Sequence, residues 1–330
     1  MNTDGADAIE VEGLSKRFGD VQAVDHVTFA VRQGELFGFL GPNGAGKTTT
    51  INMLTGLARP DSGRICLGGI DCSANPRAAQ HLIGVVPDES NLYPELTGFE
   101  NLCFCAALYG MRRVQRQSRA RELLDKFGLA QAAGRKFGGY SRGMKRRLTI
   151  AAGIIHRPPV LFLDEPTTGL DVASARQIRQ LIADLHCAGT TIFLTTHYIE
   201  EAERLCQRIS FIVQGKIVRT ATMGELIRPL QARHALLLAV GSGATALVPE
   251  LAKSFPAYGI TSPGQAQIRV EAQEPIPIAP LVHFFEQRQE PVLEARQLRP
   301  SLEDVFVEIT GLAAEAMRRE KEKASGGGAA

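Results

Sequence analysis

The sequence predicts an α/β fold with a mixed sheet core, an antiparallel β subdomain and a helical subdomain, followed by a small C-terminal α/β domain. Three observations support this prediction. Apolar runs of strand length, such as Leu36–Leu40 and Val160–Asp164, are each followed by a helical pattern. The motif G-x-x-x-x-G-K-[ST] stands between one such strand and its helix. A second alternation of strand and helix patterns occupies residues 233–311.

The first element is a pair of alternating apolar and polar runs at residues 9–14 and 21–31. Such alternation predicts an antiparallel pair laid beside the central sheet. Phe18 lies on the turn between the two runs, where its flat ring is a candidate to stack on an adenine base. Taken alone, a plain core or surface phenylalanine is an equally good interpretation.

The next strand, Leu36–Leu40, leads into the glycine-rich motif and then into a helical pattern at residues 49–57. Glycines let the backbone amides wrap a phosphate at the positive end of the helix dipole. Lys47 is expected to neutralise the β and γ phosphates, and the Thr48 hydroxyl to ligate Mg²⁺. The sequence therefore predicts a P-loop NTPase. Its expected nucleotide-binding residues are Gly41, Pro42, Asn43, Gly44, Ala45, Gly46, Lys47, Thr48 and Thr49.

Beyond this helix, strand patterns at residues 64–67 and 82–86 precede a helical stretch at residues 97–129. The second of these strands ends in Pro87-Asp88-Glu89. Five arginines mark the middle of the helical stretch, and we interpret them as a solvated face.

A second informative block begins at Ser141 and Gly143, at the predicted start of a helix that ends before Pro158. Serine caps helices, and free amides at a helix start can meet an anion. The apolar strand Val160–Asp164 then delivers two carboxylates to the edge of the sheet. We expect Asp164 to reach Mg²⁺ and Glu165 to orient and deprotonate the attacking water.

The last strand of the core, Thr191–Thr196, delivers His197 to the same edge, where it is placed to contact a γ phosphate. A hairpin at residues 209–218 closes this part of the chain. The expected catalytic residues are therefore Lys47, Glu165 and His197.

Composition sets limits on function. The net charge of +2 with interspersed signs provides no broad basic field, so no nucleic-acid partner is expected. No run approaches the roughly 20 apolar residues of a membrane span, and the polar N-terminus is unlike a signal peptide, so we expect the chain to stay in the cytosol. The six scattered cysteines are interpreted as free thiols.

Taken in order, these motifs give residues 9–226 a resemblance to the ATP-binding subunit of an ABC transporter. The matching segments are residues 41–48 (Walker A), 140–144 (signature), 160–165 (Walker B), 169–171 (D-loop) and His197 (switch histidine). The resemblance implies that Phe18 stacks on adenine and that Asp171 lies at the nucleotide. It also implies that Ser141 and Gly143 grip the γ phosphate of ATP bound to the opposite subunit. Two copies would thus sandwich two ATP molecules head to tail.

Two positions depart from the general pattern of the family. The signature reads Tyr140-Ser141-Arg142-Gly143-Met144 where L-S-G-G-Q is usual, which is similar to variants in the drug and polysaccharide export branch. Asp88 replaces the glutamine of the Q-loop. A carboxylate there offers an oxygen to Mg²⁺ or to water on a shorter stem.

After residue 229 the patterns predict strands at residues 235–240, 267–272 and 292–298, which alternate with helices at 244–255, 278–287 and from Pro300-Ser301 onward. The segment at residues 301–306 resembles the end of daunorubicin-resistance-type ATPases. We therefore predict an ABC ATP-binding domain at 1–228, an accessory α/β domain at 229–312 and a charged, flexible tail at 313–330.

The resemblance implies an ATP hydrolase that uses Mg²⁺, pairs with a second ATP-binding subunit as a homodimer, and drives integral membrane permease subunits. Its expected location is peripheral, on the inner face of the cell membrane, and its expected cargo is a drug-like, lipid or polysaccharide substrate. Two alternatives remain at this point. One is a soluble ABC ATPase that acts on DNA or ribosomes without transport, and the other is a regulatory module that binds ATP with little hydrolysis.

Overall fold

The computed structural model describes residues 6–231, 234–241, 244–264, 266–298 and 302–310. The chain divides into a larger unit that runs to Met223 and resumes at Phe306, and a smaller unit, Gly224–Val305. The strands are β1 (Asp7–Phe18), β2 (Val21–Arg32), β3 (Leu36–Leu40), β4 (Ser62–Leu67), β5 (Ile70–Asp71), β6 (Ile83–Val86), β7 (Val160–Asp164), β8 (Thr191–Thr196), β9 (Arg208–Val213), β10 (Lys216–Thr222), β11 (His234–Val240), β12 (Gly259–Gly264), β13 (Gln267–Ala272) and β14 (Val292–Leu298). The helices are α1 (Lys47–Leu54), α2 (Pro76–His81), α3 (Gly98–Leu108), α4 (Arg113–Lys126), α5 (Arg142–Gly153), α6 (Val172–Cys187), α7 (Ile199–Leu205), α8 (Met223–Gln231), α9 (Ala244–Ser254), α10 (Ile278–Glu286) and α11 (Leu302–Thr310).

The larger unit is built on a six-stranded sheet in the order β10-β9-β3-β8-β7-β6. Strands β9, β3, β8, β7 and β6 are parallel, and β10 pairs antiparallel with β9. Every residue of β3, β7 and β8 is buried, as expected for parallel strands covered on both faces. The carboxyl ends of these strands meet at one edge, which positions the loops that follow them.

An antiparallel sheet in the order β2-β1-β4-β5 packs beside the central sheet. Phe29 of β2 lies with its ring centroid 5.7 Å from that of Phe37 and 5.6 Å from that of Phe193 on the central sheet. These aromatic contacts explain why the alternating pattern of β1 and β2 faces the core. The predicted pair is confirmed, and β4 and β5 extend it to four strands.

The helical region differs from the prediction of one stretch at residues 97–129. Thr97 begins α3 with a capping box, in which its side chain and that of Glu100 each accept a hydrogen bond from the other's backbone amide. The helix ends at Leu108, and Gly110 adopts a φ of 74° that a continuing helix does not allow. A second helix, α4, begins only at Arg113.

The smaller unit has its own sheet in the order β12-β13-β11-β14, with a core that includes Leu238, Leu251 and Phe285. All of its paired strands are antiparallel. The predicted alternation of strands and helices is present, and β12 adds an edge strand that the sequence patterns missed. Pro300, Ser301 and the predicted tail at 313–330 lie outside the described residues, and α11 begins at Leu302.

Two negative predictions bear on the class of protein. Within the described ranges, no helix is long and apolar enough to cross a membrane. The six cysteines are free thiols, two of them buried, Cys66 and Cys206.

Candidate nucleotide site

The phosphate loop lies between β3 and α1, and two of its glycines, Gly41 and Gly46, sit where a side chain has no room. A Cβ atom on Gly41 would lie 2.2 Å from the Ile212 carbonyl oxygen, and one on Gly46 would lie 2.4 Å from that of Ala23. Gly46 also has a φ of 103°, in the left-handed region that glycine adopts freely. It precedes α1, whose first turn carries no acidic residue, so the helix start favours an anion.

Lys47 is buried with its ammonium inside the curve of the loop. Its Nζ donates hydrogen bonds to the carbonyl oxygens of Gly41 at 2.8 Å and Pro42 at 3.1 Å. It also lies 3.1 Å from Oε1 of Glu165. The loop cation and the predicted base are therefore already in contact. Thr48, directly after the lysine, is exposed beside them.

Glu165 is the centre of the cluster. Its Oε2 lies 2.7 Å from Nδ1 of His197 and accepts a hydrogen bond from the Thr168 hydroxyl at 3.1 Å. Burial disfavours the ionised carboxylate, but the hydrogen bond from His197 and the charge of Lys47 outweigh burial and lower the pKa of Glu165. The side chain is therefore held as an anion between a cation and an imidazole.

The backbone of Glu165 has a φ of 48°, in the left-handed region. For a residue with a side chain this conformation costs about 1–3 kcal/mol and persists only where surrounding contacts fix it. Its amide donates to the Thr195 carbonyl oxygen at 3.1 Å. Left-handed backbone at a site residue is a recurrent feature of functional centres.

Asp164 and Asp88 complete the acidic side of the cluster. Asp164 is buried, and its Oδ1 accepts a hydrogen bond from the Thr195 hydroxyl on the neighbouring strand. Asp88 follows β6 by two residues. Partial desolvation, together with the charges of Glu165 and Asp164, raises the pKa of Asp88, although the cation of Arg146 opposes the shift.

The predicted phosphate-gripping residues lie at the start of α5. Ser141 caps the helix, and its hydroxyl accepts a hydrogen bond from the Met144 amide at 3.3 Å. Gly143 is buried so closely against α6 that a Cβ atom would lie 2.6 Å from the Ser174 hydroxyl. Asp171 caps α6 through two hydrogen bonds from Ser174. Ser141 and Asp171 are therefore exposed at the starts of two neighbouring helices, and Gly143 is buried in the contact between those helices.

Phe18 ends β1 and is 53% exposed. The Nζ of Lys16 lies 5.4 Å from the centroid of its ring. This exposure rules out the interpretation of Phe18 as a core residue and leaves a ring face at the surface.

Comparison with known proteins decides the family. A family model described as ABC transporter matches residues 24–168. The daunorubicin/doxorubicin resistance ATP-binding protein of Streptomyces peucetius is 45% identical over 226 residues, which cover 68% of each chain. A Nod factor export ATP-binding protein of Ralstonia nicotianae is 38% identical over 307 residues, 92% of this chain and 94% of that protein. The chain belongs to the ABC transporter family.

Solved structures agree with this assignment. A dimeric ATP-binding cassette in a post-hydrolysis state with ADP and Pi aligns with a TM-score of 0.60 at 27% identity, over 65% of this chain and 98% of that one. This ABC protein is thus a P-loop NTPase, and it acts as an ATP-binding, ATP-hydrolysing subunit of the exporter type. The comparisons do not support a soluble ATPase without transport or a regulatory module.

The structure of this ABC subunit brings together some of the predicted residues. Lys47, Glu165 and His197 are in direct contact, and Asp164 adjoins them on β7. Sequence reasoning missed Arg146, whose guanidinium is buried beneath Glu165 and donates to the backbone there. The signal for it was helical spacing, because Gly143, Arg146 and Ile150 fall on one buried face of α5.

Proposed function

We propose that the chain hydrolyses ATP with Mg²⁺ at the cluster of Lys47, Glu165 and His197. The observation behind this proposal is the position of the Glu165 carboxylate, held between the phosphate-loop cation and the switch histidine at 3.1 and 2.7 Å. A carboxylate so placed at the phosphate edge of a sheet suits a base that acts on water.

In this proposal the bound triphosphate attracts Lys47, which neutralises the β and γ oxygens. Movement of Nζ toward the phosphate leaves Oε1 of Glu165 to accept a hydrogen bond from the attacking water. Removal of the neighbouring positive charge also raises the pKa of Glu165, which makes the carboxylate a stronger base. His197 keeps the carboxylate oriented through Nδ1. The other side of its imidazole ring contacts the γ phosphate.

The residues beside the phosphate loop fit Mg²⁺. Within the part of the chain that the structure describes, no group of three or more His, Cys, Asp or Glu residues is arranged to hold a metal ion. Mg²⁺ suits a site with few protein ligands, because it commonly takes one or two protein oxygens and completes its shell with phosphates and waters. Thr48 and Asp164 would supply the protein oxygens, with Asp88 directly or through water. When bound, the ion neutralises charge on the phosphates.

We further propose that two copies form a homodimer around two ATP molecules. The solved cassette with ADP and Pi is dimeric, which supports this arrangement. Ser141 and Asp171 are exposed at the starts of α5 and α6, where with the backbone of Gly143 they are suited to close the site of a second copy. Phe18 presents an exposed ring that would stack on adenine.

A groove in the larger unit supports docking of an integral membrane permease. It has a volume of about 550 Å³, and its lining includes Leu57, Leu108, Tyr109 and Pro87. Leu57 and Leu108 are 74% and 70% exposed, so the rim offers apolar area to a partner. Pro87 adjoins Asp88, and the groove therefore reaches the loop that leads to the nucleotide site.

The cargo we propose is a drug-like, lipid or polysaccharide compound, moved outward by the permease. Relatives named for daunorubicin/doxorubicin resistance and for Nod factor export support this class. The chain would then lie at the inner face of the cell membrane, where the permease holds it.

Two measurements test this proposal. Lys47→Ala should weaken ATP binding by calorimetry, because it removes the side-chain cation of the phosphate loop. Unchanged ATP affinity would contradict the site assignment. Separately, the tagged chain should retain its permease from detergent-solubilised membranes of its native host, and Leu57→Glu with Leu108→Glu should abolish this retention. Leu293→Glu, at a residue 73% exposed in the smaller unit, is the matched control. Equal retention by the groove variant and the control would exclude docking at the groove.

A further inference from the structure

Arg146 is a buried cation whose hydrogen bonds all go to the main chain. It lies in the second turn of α5 and is 8% exposed. A guanidinium has five N–H donors in a rigid plane. Its five acceptors are the carbonyl oxygens of Pro166 (2.8 Å from Nε), Pro87 (2.5 Å from Nη1), Asp88 (3.0 Å from Nη1), Asp164 (2.7 Å from Nη2) and Glu165 (2.7 Å from Nη2).

These acceptors belong to two loops. Pro87 and Asp88 follow β6, and residues 164–166 end β7, which is the parallel neighbour of β6 in the sheet. One planar side chain therefore fixes the distance between the loop that carries Asp88 and the loop that carries Glu165. The helix from which it reaches also begins at the signature residues Ser141 and Gly143.

The contact also bears on the unusual backbone of Glu165. Its left-handed φ of 48° turns the carboxylate toward Lys47 and His197. Arg146 Nη2 bonds to the carbonyl oxygens on both sides of this residue's amide nitrogen and Cα, those of Asp164 and Glu165. One guanidinium therefore stabilises the backbone conformation that directs the Glu165 carboxylate toward Lys47 and His197.

The arginine is suited to this place and a lysine is not. Burial disfavours the cation and lowers the pKa of Arg146, and the charges of Asp88, Glu201, Asp164 and Glu165 oppose this shift only in part. An ammonium has three donors at one point and cannot span both loops. An apolar side chain could fill the same space, but it would leave the five carbonyl groups without hydrogen-bond donors.

We propose that Arg146 is a positioning residue for ATP hydrolysis, which holds Glu165 in its working orientation and ties it to the Asp88 loop. The proposal rests on the role of Glu165 given above. The ATP phosphates are held by the loop at residues 41–48, which Arg146 does not contact, so its loss should affect turnover rather than ATP affinity.

The test compares Arg146→Gln and Arg146→Lys with the same changes at Arg147. Arg147 is the next residue of α5, and its Nη1 bonds to the Phe127 carbonyl oxygen at 3.0 Å, away from both loops. In purified full-length protein, Arg146→Gln should lower kcat about tenfold or more, with KM and the ATP dissociation constant within about threefold of the parent. Arg146→Lys should lose less, and both Arg147 variants should stay within about twofold.

Amide hydrogen exchange adds a readout that a general packing defect would not reproduce. In Arg146→Gln, the segments 87–90 and 164–168 should exchange faster together, while the central strands keep their protection. A kcat within twofold of the parent, or faster exchange across the whole chain with a parallel loss of ATP affinity, would overturn the proposal. Glu165→Gln, run alongside, separates the two claims. If it alone keeps the parent rate, the assigned base is wrong. If it is slow while Arg146→Gln is not, only the positioning role fails.

Discussion

At the level of single residues, the site is organised by opposed charges that share one small space. Lys47 and His197 hold the two oxygens of Glu165, and Asp164 and Asp88 add negative charge close by. The Lys47 cation therefore limits the repulsion among the carboxylates. A triphosphate entering this space changes the balance, because it competes with Glu165 for Lys47.

Replacement of the proposed base, Glu165, gives the first prediction. Glu165→Gln should keep ATP binding and lower turnover by roughly 10² to 10⁴, because an amide can hold a water but cannot take its proton. Phosphate release and nucleotide calorimetry measure the two effects. Glu200→Gln, at an exposed glutamate on α7, is the control and should hydrolyse ATP at the parent rate. Hydrolysis by Glu165→Gln at the parent rate would require a different base.

Asp88 allows a second prediction about charge. Two like charges about 4 Å apart repel by about 4 kcal/mol at an effective dielectric near 20, so a carboxylate beside the phosphates needs a cation close by. The backbone oxygen of Asp88 accepts a hydrogen bond from Arg146, a contact that does not involve the Asp88 side chain. Asp88→Asn should therefore impair hydrolysis most at limiting Mg²⁺, whereas Asp88→Gln, with a longer amide, should retain much of the activity.

The measurement is a Mg²⁺ titration of ATPase rate for both variants beside Glu89→Gln. Glu89 is the adjacent exposed carboxylate, which controls for loss of charge in the same loop. An identical Mg²⁺ dependence for Asp88→Asn and the parent would show that the carboxylate has no part in metal use.

At the level of elements, the helix that carries Ser141 and Arg146 is positioned by two glycines. A Cβ atom on Gly84 of β6 would lie 2.1 Å from the Gly153 carbonyl oxygen, and one on Gly153 would lie 2.8 Å from Cγ2 of Val86. A backbone carbonyl and a valine methyl group thus limit how close α5 lies to the sheet. Any outward shift of α5 would also pull Arg146 from the two loops that it joins.

Gly84→Ala is therefore predicted to destabilise the fold by roughly 1–3 kcal/mol, because a carbonyl oxygen cannot rotate aside as a side chain can. ATPase activity should fall with it. Gly134→Ala is the matched control, since a Cβ atom there meets nothing within 4 Å. We expect its effect to stay within about 0.5 kcal/mol in denaturant unfolding. Equal stability of the two variants would mean that α5 can move at little cost.

The sequence predicted the elements whose signals are local. Leu36–Leu40 is recognisable because a strand buried on both faces is continuously apolar. Elements shaped by their neighbours were missed. β12 contains Pro263 and two glycines, which are tolerated because it is an edge strand. The short helices α2 and α7 bury too few residues to give a periodic signal.

The candidate site divides in the same way. The phosphate loop could be predicted because its glycines, lysine and threonine are consecutive, and the backbone of one loop provides the cradle. Arg146 was harder to predict, because Lys145-Arg146-Arg147 resembles an ordinary charged run and only its helical spacing from Gly143 and Ile150 marks it as buried. Arg146 is buried because two loops, about 60 and 20 residues away in sequence, meet around it. This contact depends on the tertiary structure.

At the level of the whole molecule, the residues assigned to ATP occupy two different surfaces. Lys47 and Glu165 lie together at the carboxyl edge of the central sheet, whereas Ser141 and Gly143 lie at the start of α5 against Ser174. The proposed head-to-tail dimer would join these surfaces across two copies. Each nucleotide site would then take its phosphate loop and base from one copy and its signature residues from the other.

This arrangement predicts complementation between two inactive variants. Lys47→Ala disables the phosphate loop, and Ser141→Asp places a negative charge against the γ phosphate while aspartate still caps α5. Mixed dimers of the two have one site with both defects and one intact site. With random pairing, half of the dimers are mixed, so an equal mixture should recover about a quarter of the parental ATPase rate if the two sites act independently.

The control mixes Lys47→Ala with Glu165→Gln. Both residues belong to the same half of a site, as their 3.1 Å contact within one chain requires. Every site in such a mixed dimer then keeps one defect, so no activity should return. Recovery in both mixtures would mean that Lys47 and Glu165 act at different nucleotides, which contradicts their assignment to the same half of a site. Recovery in neither, with dimers confirmed by size exclusion in ATP, would place the signature residues of each copy at its own nucleotide and overturn the shared site.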